Sequence, residues 1–471
     1  MVFILFPTQL YNIRLDEFKE IYIVEEPRYF TDFKFHKLKL AYHRATMKKY
    51  YDHIKKNHSV TYVEFHKVTP TFYKSLKNIV FIDPCDKTLH DKLQSLCECT
   101  VLPQQQFILS NDDIRSNRSV FFKGRYRNDL FYKWMRKKTN ILIKDNKPDG
   151  GLWSYDTENR KHLPDDINVP DLPKVTQNHY IEDAIDYVHT HFKDNYGSTD
   201  NFIYPIDHTS SVKWLNQFLE KKLDHFGPYE DAVSTEHDFV FHSVLTPMMN
   251  IGLLRDAEVV SISYDYYKHH KINIASFEGF IRQIIGWRTY VYSLYVLEGK
   301  KMFNSNQLMN TKKISDKWWN SVHIEPIDFL IEKIRNYAYV HHIERLMYLS
   351  TWMLMNNIHP KEAYRIFMEW TIDAYEWVMI PNVFGMGQYA TDCMMTRPYI
   401  CSSNYILKMS NFKRGEWCEV WDAVYYSFIH KHEKLLSSNY ATAMQVKHWR
   451  NKPLDEQQYL LKLSKQYQRL I

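Results

Sequence analysis

Over the first 145 or so residues, short apolar runs alternate with longer stretches in which apolar side chains recur every three or four positions. Val2 to Phe6, Ile21 to Val24, Val60 to Phe65 and Ile79 to Ile82 read as strands, and Phe35 to His53 as an amphipathic helix. Strand, helix, strand in this order predicts a parallel α/β sheet, because parallel neighbours need a long return connection. The GxGxxG turn of a dinucleotide site is absent, so this Rossmann-like unit carries no NAD or FAD signature of its own. From Lys144 to Pro173 the sequence turns polar, with Gly150-Gly151 and four prolines, as expected of a connector running over the surface.

Beyond about residue 176 the period becomes helical, in Phe277 to Leu297, Ile327 to Asn356, Pro360 to Met379 and Val420 to Leu436. Ser276 is the expected cap of the first of these, and Pro360 fits the opening turn of the third. No repeat of 20 to 50 residues is visible, which argues against a solenoid. The predicted organisation is an α/β domain over 1–145, a connector with helices over 146–235, and an all-α domain over 236–471.

Composition changes this picture little. A chain of 471 residues suits two or three domains. Aromatic residues make up 16% of it, enough to fill a core and also to stack on bases or a ring cofactor. The net charge of +6 permits a local basic face without demanding a polyanionic partner. Six cysteines show no CxxC spacing and read as reduced intracellular thiols. The first ten residues lack the pattern of a secretory leader, and no apolar stretch reaches about 18 residues. The expectation is a soluble intracellular monomer that does not enter a membrane.

Four segments carry candidate chemistry. His341 and His342 lie in an apolar helical pattern, and adjacent helical residues point about 100° apart. One can face a cavity and donate a proton near neutral pH while the other faces the protein; a bonded pair of core histidines is the plainer alternative. In Phe367 to Met386, Asp373 and Trp377 are four apart, with Trp370 and Asn382 nearby; a carboxylate beside an aromatic wall suits a planar heterocycle with ring N–H groups, although plain core gives the same stripe. His242 to Pro247 offers hydroxyl and backbone donors at a helix start, where phosphate is stabilised. Finally, Arg397, Lys408, Lys413, Arg414, Lys447 and Arg450 are interleaved with Tyr399, Tyr405, Trp417 and Trp449. Such a pattern can hold phosphates and stack bases, or can simply be a solvated basic face, since Glu416, Glu419 and Asp422 interrupt it.

These segments, in this order, resemble the photolyase and cryptochrome family, in particular its branch of iron–sulfur bacterial cryptochromes and prokaryotic (6-4) photolyases. The resemblance rests on Phe-His-Lys-Leu-Lys-Leu at 35–40, Gly-Gly-Leu-Trp-Ser-Tyr-Asp-Thr-Glu-Asn-Arg-Lys at 150–161 and Phe-Gly-Pro-Tyr-Glu-Asp-Ala at 226–232. It continues through His-Ser-Val-Leu-Thr-Pro at 242–247, Phe-Ile-Arg-Gln-Ile-Ile-Gly-Trp-Arg at 280–288, Tyr-Val-His-His-Ile-Glu-Arg-Leu-Met at 339–347, the segment 372–386 and Arg-Pro-Tyr at 397–399. It implies an N-terminal antenna domain and a helical domain that holds FAD in a bent form. By carry-over, Ser243 and Leu245 would contact the FAD phosphates, Arg288 and Asn336 would line the flavin pocket, Asp373 would bind the ring edge, and Met379 and Asn382 would lie near the isoalloxazine. A lumazine antenna is implied too, although Phe-Pro-Thr-Gln-Leu at 6–10 departs from the usual Gly-Asp-Gln-Leu, and no antenna residue is assigned.

The branch's four cysteine ligands for a [4Fe–4S] cluster are replaced here. Pro326 stands at one position, Phe-Lys-Arg-Gly at 412–415 replaces a CxxC, and Cys418 alone lies near the last. One thiolate cannot hold such a cluster, so none is expected, and packing around Trp417, Trp421 and Tyr425 is expected instead. The resemblance implies a DNA photolyase that flips a UV-damaged pyrimidine pair from the duplex and repairs it with an electron from light-excited reduced FAD. The double histidine favours (6-4) photoproducts, with His341 or His342 as acid; cyclobutane dimer repair, a cryptochrome-like light sensor and a nucleic-acid-binding protein without cofactor are the alternatives. DNA contacts are expected from Arg397, Tyr399, Lys408, Lys413 and Arg450. Trp318, Trp319, Trp370 and Trp377 are the expected electron-transfer residues, since the branch's remote Trp-Tyr pair reads Ile366-Phe367 here.

Overall fold

The computed structural model describes residues 1–469. Five parallel strands, β1 (Val2–Leu5), β2 (Glu20–Val24), β3 (Val60–Val63), β4 (Ile79–Ile82) and β5 (Cys99–Leu102), lie in the order β3-β2-β1-β4-β5. Val2 pairs with Glu20 on one side and Ile79 on the other. β4 is buried on both faces, as expected of a strand inside a parallel sheet. β5 adds an edge beyond the four runs visible in the hydrophobic pattern; it is short and only partly buried, so no alternation marks it. Helix Lys37–Ile54 crosses from β2 to β3, with His36 Nδ1 accepting from the Leu38 N–H at its start.

The strand order reverses between β1 and β4, the place where open α/β sheets bind ligands beyond their carboxyl ends. Here protein occupies that crevice. Gln9 Nε2 donates to the Ile82 carbonyl at 2.6 Å while its Oε1 accepts from the Phe6 N–H at 3.2 Å. The Leu10 N–H donates to the Ile251 carbonyl at 2.9 Å, and the Cys85 thiol lies 3.6 Å from the Tyr292 hydroxyl. The helical part of the chain thus docks onto the switch point of the sheet.

That docking includes buried charge. Arg28 bridges Asp86 (2.9 Å) and Glu376 (2.7 Å), and Glu376 also accepts from the Tyr295 hydroxyl at 2.6 Å. Burial, and next the neighbouring Glu376, push the Asp86 carboxyl upward, while Arg28 opposes the rise. Beside this network Lys39 Nζ donates to the Ala374 carbonyl at 2.6 Å, and the His43 ring bonds the Tyr375 hydroxyl at 2.8 Å. Residues 374 to 376 are therefore gripped by side chains of the sheet domain.

The helical pattern after residue 176 is present but interrupted where the sequence reads as continuous. Helix Glu325–Tyr337 stops at Ala338, whose φ of 51° is left-handed, and a new helix begins only after His341. Helix Pro360–Trp370 likewise ends before Asp373, and Glu376–Ile380 begins a separate one. Asp373 and Trp377 are consequently not on one helical face; Asp373 sits in the turn. Ser276 is not a cap but lies inside helix Ile274–Ile281, its hydroxyl donating to the Asp224 carbonyl at 2.6 Å; Asn273 caps this helix by accepting from the Ala275 N–H. Helix His179–His191, in the connector region, lies along helix Lys37–Ile54, and the Tyr187 hydroxyl donates to Glu25 at 3.0 Å. Helix Asn128–Thr139 packs in turn on the helical domain at Arg282–Arg288.

Replacing Arg28 with Ala leaves two buried carboxylates facing each other and should destabilise the fold by about 3–5 kcal/mol in urea unfolding. The deficit should be largest above pH 7 and shrink on acidification. A raised carboxyl pKa means that the folded state takes up the proton before the unfolded chain does.

Candidate active site

A cavity of about 1010 Å³, at the upper end of the range for ligand sites, lies mainly among the helices of the second half of the chain, with Asn128, Tyr132 and Ser154 also on its wall. Three of its walls are π-helical turns, Arg282–Arg288, Glu344–Ser350 and Pro381–Gly387. A π turn accommodates one extra residue in the helix and redirects the side chains that follow, which is why such turns gather at functional sites.

Asp373 is fixed at the cavity wall by three neighbours. Its carboxylate pairs with Arg345 Nη2 at 2.9 Å and accepts from the Thr246 hydroxyl at 2.5 Å, while its carbonyl accepts from Asn250 Nδ2 at 2.6 Å. Arg288 is held by Asp256 at 2.7 Å and by the Asn250 side-chain oxygen, and its guanidinium lies 4.7 Å from the centre of the Trp377 ring. Several buried atoms of this wall have no hydrogen-bond partner, among them the donor Arg288 Nη2 and the acceptor Asn382 Oδ1. Unpaired buried polar atoms are costly, so this pair marks a place built for a polar ligand. A flavin, with its ring N–H, its carbonyls and its flat aromatic face, suits these groups and Trp377.

The two adjacent histidines diverge because the chain turns there from extended to helical. His342 is open to the cavity, with Trp287 5.9 Å away. His341 is buried, stacks on His242 at 4.2 Å and lies 3.6 Å from Glu344, which is paired with Lys333 at 2.8 Å. Only His342 can meet a ligand directly. Enclosure by protein, and next the Arg345 charge, lower its pKa to about 4, so the free protein holds it neutral at pH 7.

Ser243, Leu245, Arg288, Asp373, Met379, Asn382, His342, Arg397, Tyr399 and Trp377 all line the cavity. Asn336 does not: it lies inside helix Glu325–Tyr337 and donates to Glu332, one turn earlier, at 3.3 Å. Lys408 and Lys413 are exposed outside the cavity lining, and Arg450 is paired with Glu433. Trp318 is buried apart from the cavity, whereas Trp319 and Trp370 are in ring contact at 4.9 Å, with Tyr196 4.8 Å from Trp319. Sequence reasoning missed Arg345, Thr246 and Asn250. The first two stand in segments singled out above, yet nothing local says that they meet Asp373, more than a hundred residues from Thr246.

At the positions where the resemblance placed cluster ligands, Pro326 and residues 412–415 carry no thiol and Cys418 is buried. All six cysteines are free thiols, and among the described residues no three His, Cys, Asp or Glu side chains are grouped as metal ligands would be. Trp417, Trp421 and Tyr425 are buried there, and Trp421 stacks on Trp352 at 4.9 Å.

Comparison with known proteins agrees with this geometry. A family profile of deoxyribodipyrimidine photo-lyase-related proteins matches residues 5–204. A (6-4) photolyase of Agrobacterium fabrum is 33% identical over 360 residues, 72% of this chain and 71% of that protein. An uncharacterised protein of Acanthamoeba polyphaga mimivirus is 48% identical over 91 residues, 19% of this chain and 74% of that protein. The crystal structure of a bacterial class III photolyase from Agrobacterium tumefaciens superposes with a TM-score of 0.57 at 12% identity, covering 98% of this chain and 91% of that one. The fold is the one that photolyases and cryptochromes share. The chain belongs to the photolyase and cryptochrome family.

Histidine NMR of the free protein should show His342 unprotonated from pH 8 down to about 5, in keeping with a pKa of about 4. Titration near the ordinary value of about 6.5 would mean that water in the open cavity offsets the effect of enclosure and of Arg345.

Proposed function

We propose that this protein is a light-dependent DNA photolyase that repairs UV-induced pyrimidine lesions, with (6-4) photoproducts its substrate. The observation that carries the reading is His342 standing open on the wall of a cavity that also holds Asp373, Arg288 and Asn382. FAD, when bound and reduced, supplies the light-driven electron. Arg288 Nη2 and Asn382 Oδ1 are the groups that would orient its ring system, Asp373 would meet the ring edge, and Ser243 and Leu245 would lie along the phosphates. The lesion enters by leaving the duplex, which costs a few kcal/mol and least at an already distorted step. Arg397 and Tyr399, on the cavity wall, would receive its phosphate and bases.

Transfer of the oxygen substituent in a (6-4) product needs a proton at the lesion, and His342 would supply it. Because the free protein keeps this ring neutral, the anionic phosphates of the bound lesion must raise its pKa. That requirement keeps a second reading in view, cyclobutane dimer repair, which needs no acid. Electrons would reach the site through Trp319 and Trp370, whose rings touch, with Tyr196 beside them. A lumazine-type antenna belongs to the reading without assigned residues. No iron–sulfur cluster does, since the residues at its ligand positions do not fit one.

The test is the absorption spectrum of purified protein followed by blue-light turnover of oligonucleotides with one defined lesion. A flavin spectrum and turnover of the (6-4) oligonucleotide are expected; flavin without turnover of either lesion would make it a sensor, and colourless protein would end the reading. His342→Asn should lower (6-4) turnover by at least about 100-fold with flavin retained. Arg288→Ala should lower the flavin bound after gel filtration, measured by release on denaturation, because Asp256 loses its buried counter-ion as well.

A further inference from the structure

A buried cation behind the cavity wall has no part in the chemistry described so far. Lys39, in the first turn of helix Lys37–Ile54, is fully buried, and among the described residues it makes no ion pair. Its ammonium donates to the Ala374 carbonyl at 2.6 Å and to the Met368 carbonyl at 3.3 Å, and the centres of the Phe35 and Tyr375 rings lie 4.9 and 4.8 Å away. A cation taken out of water without a carboxylate beside it is costly, and a methionine of similar length would fill the same space with no charge to desolvate. Tying down the turn accounts for the hydrogen bonds. It does not account for the charge.

The surrounding charges show where its field is left over. On the cavity wall they cancel in pairs, Asp373 with Arg345 at 2.9 Å and Arg288 with Asp256 at 2.7 Å. Behind the wall Arg28 is shared by Asp86 and Glu376, so one carboxylate is in surplus there, but both of these touch Arg28 and neither touches Lys39. Lys39 grips the turn that carries the wall carboxylate, since the residue accepting from it, Ala374, directly follows Asp373. It thus adds an unpaired positive charge immediately behind the carboxylate that would meet the ring edge of a flavin. In a poorly polarisable interior such a charge acts well beyond contact distance.

Reduction is the change in a flavin that this charge favours. Two electrons and one proton convert the neutral oxidised ring into a reduced ring that carries one negative charge. We infer that Lys39 sets the reduction potential of the bound flavin, acting through the Asp373 turn to favour the anionic reduced ring over the neutral oxidised one. This role rests on the reading of the cavity as a flavin site. It holds equally for a (6-4) photolyase, a cyclobutane dimer photolyase and a light sensor, and it makes the α/β domain a contributor to the redox chemistry.

The experiment is a reductive titration of the full-length, flavin-loaded protein under anaerobic conditions, with a redox dye as internal reference. Lys39→Gln keeps a donor for the two carbonyls and loses the charge; Lys39→Met loses both. Each should bind reduced flavin about tenfold more weakly relative to oxidised flavin, a fall in midpoint potential of about 30 mV for a two-electron couple. Burial lowers the pKa of Lys39 to about 7; Asp373 opposes this, and Arg28 and Arg345 add to it. The charge is present below that value and lost above it, so the gap between wild type and Lys39→Gln should be wide at about pH 6 and nearly closed at about pH 9. A potential unchanged in Lys39→Gln, or a gap that does not vary with pH, would overturn the role of the charge and leave the flavin reading standing. A variant whose turn is merely displaced should lose both forms of the flavin alike, with no change in potential; that result would make Lys39 a structural tie only and overturn the inference. Should Lys39→Gln fail to fold, the pH dependence of the gap between wild type and Lys39→Met decides by the same criterion. Wild-type protein that takes up no flavin would overturn the flavin reading, and this role with it.

Discussion

The structure depends on the buried charge that joins the sheet to the turn at 373–376. Arg28 lies between Asp86 and Glu376, and Lys39 donates to the backbone of Ala374 within the same contact. Buried charges are tolerated only when paired, so this contact admits few alternative arrangements. It fixes a segment whose preceding residue, Asp373, is on the cavity wall. The α/β domain, whatever it binds, is therefore part of the construction of the site: Lys39, His43 and Arg28 hold from behind the turn that presents the carboxylate.

Lys39 shows how much depends on that arrangement. Burial lowers its pKa to about 7, and the Asp373 carboxylate is the largest influence keeping it charged. Its ammonium lies 4.8 Å from the centre of the Tyr375 ring, a further compensation for lost water. A cation placed in this way couples the sheet domain to the electrostatics of the cavity without reaching it.

The cavity has a second constraint. Its walls are helices interrupted by π turns and by breaks at Ala338 and Thr371, where the chain leaves the helix before entering it again. These interruptions separate His342 from His341 and lift Asp373 out of a helical face. Regular helices with the same apolar period would pack against one another and leave less room. The wide space is thus produced by departures from regularity that tertiary contacts stabilise, among them the Ile372 N–H donating to the Ala338 carbonyl at 2.8 Å.

The sequence by itself determined the class of fold and the chemical types at the site. Short apolar runs gave way to period 3.6, four of five strands were marked by those runs, and the segments holding Arg288, His342, Asp373 and Asn382 stood out by composition and by resemblance. It did not reveal β5, a half-buried edge, nor the exclusion of Asn336, because periodicity reports which face is apolar and not which residues reach a cavity. Tertiary structure decided which of two histidines faces the cavity, which arginine meets Asp373, and that sheet-domain side chains reach across to hold the turn. Local sequence encodes local propensity, whereas these outcomes follow from contacts between residues tens to hundreds of positions apart, where burial leaves each charge and each polar atom with one partner geometry or none.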